Sequence, residues 1–193
     1  MSSILESVMS RIGDRDISQL SRTVGADENS TRTALSAALP MILAGLAKNS
    51  SRPEGAAALE SALASDHDGG LLDNLSGFLD RGDAAPGDAI LGHVFGERRG
   101  AVETGIGKST GIDPAKAARL MAIAAPIVMA VLGKQRRQKQ LDTGGLSDLL
   151  QRQNREVAQT APQLGGLASL LDADGDGSVV DDIAGGLGKL FGR

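Results

Sequence analysis

Two stretches of this chain read as copies of one another, and that correspondence constrains the fold more than any single motif does. "GADENSTRTALSAALPMILAGLAKN" (Gly25–Asn49) superposes on "GIDPAKAARLMAIAAPIVMAVLGKQ" (Gly111–Gln135) at a constant shift of 86 residues. The shift sets Gly25 on Gly111, Asp27 on Asp113, Pro40 on Pro126, Leu46 on Leu132 and Lys48 on Lys134. Further on, "DHDGGLLDNLSGFL" (Asp66–Leu79) matches "DGDGSVVDDIAGGL" (Asp174–Leu187) at a shift of 108. The two shifts differ by 22 residues, so the second copy carries an insertion within "KQRRQKQLDTGGLSDLLQRQNREVAQTAP", at about 134–162. We read residues 1–83 as a first helical repeat, 84–99 as a connector, and 100–193 as a second repeat holding that insertion.

Each copy has the pattern of an amphipathic helix, a Gly-x-Asp start into a long apolar helix, and an aspartate loop leading into a short helix. In Gly-x-Asp the glycine ends one helix and Asp27 or Asp113 caps the next. Pro114 suits a first helical position. The long helices are apolar nearly all round, so they belong at the buried centre. Their internal prolines cost about 3 kcal/mol in a helix interior. Two readings remain: a kink that the packing uses, or a boundary between two shorter helices.

Composition points the same way. The chain is 41% hydrophobic, yet it has three Phe and no Trp or Tyr. Its core therefore rests on Leu, Ile, Val, Met and Ala, which suits close-packed helices. The apolar runs are alanine-rich and too long for strands, so the expected class is all-α: a multihelical bundle of two repeated units, each ending in an aspartate-rich loop. The connector reads as loop-rich, with Ile90, Leu91, Val94 and Phe95 packing as a turn of helix.

With no cysteine, disulfides and thiolate ligation are excluded. The N-terminus has no basic start and is not a signal peptide. The longest apolar stretches, Ala34–Ala47 and Leu120–Gly133, run fourteen residues and contain Pro, where a bilayer span needs roughly twenty. The expectation is a cytoplasmic protein without a transmembrane segment.

The strongest chemical signal is "DADGDGSVVDDI" (172–183), with five aspartates and no basic residue. Carboxylates this close repel unless a cation neutralises them or water screens them. A calcium loop places oxygen ligands at positions 1, 3 and 5, glycine at 6, a carbonyl at 7 and an acid at 12. Asp172, Asp174 and Asp176, then Gly177 and Ser178, follow that order. Position 12 is Ile183, and the closing acids come early as Asp181, the preferred ligand, and Asp182. The spacing resembles shortened loops of bacterial calcium modules, and Ca²⁺ is the expected ion. Otherwise the stretch is an acidic linker ahead of a helix capped by Asp181. The first copy is degraded: Ala64 stands at position 1, leaving Asp66, Asp68, Gly70 and Asp73 as a second, weaker metal site or a capped helix start. His67 occupies a spacer position and reads as solvent-facing. Two histidines and no cysteine give zinc little support.

"GIGKST" (Gly105–Thr110) lacks the first glycine of a phosphate loop, where Val102 stands. It reads as a glycine-weakened helix end. Ile17–Leu35 imitates a helix-turn-helix, with Thr31 and Arg32 where a recognition helix would face DNA, and Lys134, Arg136 and Arg137 form a basic cluster. A pI near 5.2 weighs against nucleic acid as a partner, and the cluster reads as a solvated helix end or linker. There is no nucleophile motif and no metal-protease pairing, so the expectation is no enzyme.

The segments "GADENSTRTALSAALPMILAGLAKN", "DHDGGLLDNL", "ILGHVFG", "IAAPIVMAVLG" and "LLDADGDGSVVDDIAGGLGKLFG" together resemble a bacterial family known only as a domain of unknown function, distantly akin to the YidB-like helical proteins. The resemblance implies a multihelical fold, parts of which have been likened to homeodomain-type helices, and it brings no activity. The leading reading is a non-enzymatic calcium-binding helical protein acting as a structural or protein-interaction module, with itself or another protein as partner. The glycine-rich "IAGGLGKLFGR" supplies apolar anchors for self-association. The alternative is a DNA-associated protein using residues 17–35 and the basic insertion.

Overall fold

The computed structural model describes residues 3–65, 67 and 69–160, and among them there is no strand. The chain runs through α1 (Ile4–Met9), α2 (Asp14–Val24), α3 (Glu28–Ser50) and α4 (Pro53–Ser65), then a 3₁₀ turn (Gly70–Asn74) and α5 (Leu75–Arg81). It continues through α6 (Ala85–Phe95), a short 3₁₀ turn (Gly96–Arg98), α7 (Arg99–Thr110), α8 (Pro114–Lys139) and α9 (Thr143–Thr160).

Local chemistry sets the boundaries. Ser3 and Glu6 form a reciprocal cap on α1, each side chain accepting from the other's backbone N–H at 3.0 Å. Helix α2 ends at Gly25, whose φ of 72° is left-handed. Asp27 then accepts from the Ser30 N–H and opens α3. Helix α7 likewise ends at Gly111, with φ 74°, and Asp113 opens α8 by accepting from the Ala115 N–H at 2.9 Å. "GIGKST" is thus the last turn and a half of a helix. Both long helices continue through their prolines as single elements, so Pro40 and Pro126 are not boundaries.

Helices α3 and α8 pack against each other at the centre, and the others surround them. From Leu120 to Gly133 every residue of α8 is buried. Helix α8 is long and apolar enough to cross a membrane, with mean hydropathy 1.7 over its most apolar stretch, but 78% of that stretch is buried inside the fold. The fourteen-residue apolar run read from the sequence is the buried part of a 26-residue helix.

Two expectations are corrected. The connector, read as loop-rich, is mostly helix α6, because Leu91 and Phe95, one turn apart, both reach the core. The basic cluster is a helix end and not a linker: residues 137–139 close α8 exposed to solvent, and the rest of the insertion forms α9, which packs along α3 and α4. Leu146, Leu149 and Leu150 are buried there. Its polar residues close helix ends. Gln151 Nε2 donates to Ala47 O at 2.7 Å and Ser147 Oγ to Ser50 O at 2.8 Å, both on carbonyls in the last turn of α3. Gln153 Oε1 accepts from the Ile4 N–H at 2.6 Å.

Candidate functional site

Asp172, Asp174, Asp176, Ser178, Asp181 and Asp182 lie outside the described residues, as do Asp66 and Asp68. Of the first loop, His67, Gly69, Gly70 and Asp73 are described. Gly69 holds φ 100°, which a side chain rarely adopts. It is pressed against α8: a Cβ on it would stand 3.1 Å from Lys134 Cβ, 3.3 Å from Ala130 O and 3.4 Å from Arg137 Nη2. The loop therefore sits directly on the basic end of α8. Gly70 and Asp73 are exposed in the 3₁₀ turn that follows. That turn delivers Leu72 to the core, with Leu75, Phe78 and Leu79 of α5 behind it.

His67 is half-buried and not solvent-facing, because the loop folds back over α4, its N–H bonding to Ala62 O at 3.1 Å. It lines a groove of about 630 Å³ between α3, α4, α6 and α8, together with His93, the only other histidine in the chain. The remaining walls are mostly apolar and include Leu46, Leu59, Ile90, Val94 and Met129. Asn49, at the end of α3, fastens one side by donating to the carbonyls of His93 at 2.8 Å and Val94 at 3.2 Å. Mostly apolar concavities with a few polar groups are where proteins take ligands and partner segments. Sequence reasoning missed this groove, since its walls come from four helices.

The residues of the nucleic-acid alternative are placed as follows. Thr31 is 0% exposed, so burial takes its hydroxyl off the surface that alternative needs. Arg32 is exposed and pairs with Asp14 at 3.0 Å. Arg136 is held by Glu60 at 2.7 Å, and Glu60 also accepts from the Thr143 hydroxyl, which joins α8, α4 and α9. These bonds, the Thr143 one foremost, hold the Glu60 carboxyl below the ordinary glutamate range. Lys134 is half-buried and Arg137 exposed, both beside Gly69.

The described residues define an all-helical protein: two long apolar helices wrapped by shorter ones, with an apolar groove on one flank. Among them no three His, Cys, Asp or Glu residues come together to hold a metal. The chain belongs to the bacterial family of unknown function DUF937, whose model matches residues 6–135. The match extends from α1 to the end of the apolar part of α8 and stops short of α9; it carries nothing about a YidB-like kinship. Neither a curated protein nor a solved structure matches the chain.

Proposed function

We propose that this chain is a non-enzymatic helical module made of two repeated units, which binds one Ca²⁺ in its second aspartate loop and acts in the cytoplasm by contact with another protein or with itself. The repeat reading is supported by Gly25 and Gly111, Asp27 and Asp113, and Pro40 and Pro126, which hold the same places in their helices. The calcium reading draws support from Gly69. It stands at position six of the first loop, where a calcium loop uses glycine for its sharp turn, and it has the left-handed backbone that such a turn asks for.

The observation that carries the reading is a difference in charge between the halves. The first loop has Ala64 at its opening position and lies against both Lys134 and Arg137. At the shift of 86, the counterparts of those two residues are Lys48, in the last turn of α3, and Ser51, just past its end. The second loop therefore has two carboxylates more, Asp172 and Asp182 where the first has Ala64 and Asn74, and on the repeat reading one protein cation fewer. Clustered carboxylates need positive charge nearby, and a divalent ion would supply it to the second loop.

The test is calorimetric titration of chelator-stripped protein with Ca²⁺, with Mg²⁺ as control and Asp174→Ala plus Asp176→Ala as the variant. One equivalent of Ca²⁺, lost in the variant, is the expected result. An absence of heat and of any melting-temperature change would remove calcium and leave a helical interaction module.

A further inference from the structure

The surface beside α6 forms one groove where the corresponding surface beside α1 carries two smaller cavities. At the shift of 86, Ile4, Leu5 and Val8 of α1 fall on Ile90, Leu91 and Val94 of α6, continuing the correspondence between α3 and α8. Ile4 is 1% exposed and Val8 0%. Ile90 and Val94 are only half-buried and line the groove. Two of the three pairs are thus covered beside α1 and left partly open beside α6, while Leu5 and Leu91 run the other way, Leu5 half-buried and Leu91 0% exposed.

The segment after the first aspartate loop reaches the α1 side through Leu72. Leu72 shares a cavity of about 310 Å³ with Ser7 of α1 and with Val131 and Lys134 of α8. A second cavity of about 340 Å³ lies on the other side, between α1, α8 and α9. Beside α6 there is instead one groove of about 630 Å³, with His93 at the position of Ser7. At the shift of 108 the counterparts of Leu72, Leu75 and Leu79 are Val180, Ile183 and Leu187, which lie outside the described residues.

We propose that residues 179–187 of the same chain dock over Ile90 and Val94, with Val180 in the place that Leu72 holds on the α1 side. Nineteen residues lie between Thr160, the last of α9, and Val180. Extended, they reach roughly 65 Å, which exceeds the roughly 39 Å length of α8, so the tether does not limit docking. A tethered segment also has an effective concentration near millimolar, which favours it over a separate partner. The aliphatic faces match, and Val180, Ile183 and Leu187 gain from leaving water. This inference rests on the repeat reading and is independent of calcium.

Because the chain has no cysteine, introduced pairs report without background. His93→Cys with Val180→Cys is treated with a short bismaleimide, in Ca²⁺ and in chelator. Ser7→Cys with Leu72→Cys is the positive reference, and Arg11→Cys with Val180→Cys controls for a loose tether. Circular-dichroism melting confirms that each variant folds. The expected result is a monomeric cross-link at His93/Val180 in at least half the yield of the reference and several-fold above the Arg11 control. A link formed only in Ca²⁺ still supports docking and couples it to the metal; a link in both conditions supports docking even if no calcium binds. No link while the reference pair reacts, or equal yield with Arg11, overturns the proposal. A covalent dimer overturns it too and assigns the groove to a second copy.

Discussion

Gly87 of α6 faces the backbone of α8 so closely that a Cβ on it would stand 1.5 Å from the carbonyl oxygen of Ala122. Pro126 lies four residues beyond Ala122 and has no N–H, so that oxygen lacks its usual helical donor. The proline in the core helix and the glycine in its neighbour meet at one point. Helix α8 forgoes a hydrogen bond there, and α6 seats against it without a side chain.

Gly87→Ala has no room to relax, because the obstacle is backbone. Overpacking of this kind costs about 3 kcal/mol or more. Gly92, on the same helix, has nothing within 4 Å of a built Cβ. Gly92→Ala is therefore expected to be neutral or to stabilise by about 0.5–1 kcal/mol. Urea denaturation of the two variants beside the wild type checks the contrast, and equal effects would contradict the close approach.

The Glu60 joint makes stability depend on pH. A carboxyl whose folded pKa is lowered contributes stability that is complete above the unfolded value and is lost as pH falls through the folded one. The stability gap between wild type and Glu60→Gln should be widest near neutrality and close on acidification below the ordinary glutamate range. Denaturation at a series of pH values measures it. A gap that stays constant would detach Glu60 from Thr143 and Arg136.

Thr31 is fully buried, and its hydroxyl has no hydrogen-bond partner. Replacing it by the isosteric Val removes an unsatisfied polar group, so Thr31→Val should raise the unfolding free energy by about 1 kcal/mol. Thermal melting would show it, and a loss of stability would mean that the hydroxyl is bonded after all.

If Arg137 supplies positive charge to the first loop, removing it should make that loop a better host for metal. Arg137→Ser is expected to add a second, weaker Ca²⁺ equivalent in calorimetric titration. An unchanged stoichiometry would mean that the first loop takes no ion with or without its arginine.

Much of the helical architecture was legible in the chain because its signals are local. Gly25, Asp27, Gly111 and Asp113 end and begin helices through bonds within a few residues of themselves, and unbroken apolar runs mark α3 and α8 as central. What only the tertiary structure decided involves partners far apart in sequence. Leu91 and Phe95 form a helix against α8, and Gln151 and Gln153 of the glutamine-rich insertion close the ends of α3 and α1. His67, a spacer by pattern, lines with His93 a groove built from four helices. Caps and periodicity act over one or two turns, whereas close approach and burial depend on which surface arrives from elsewhere in the chain.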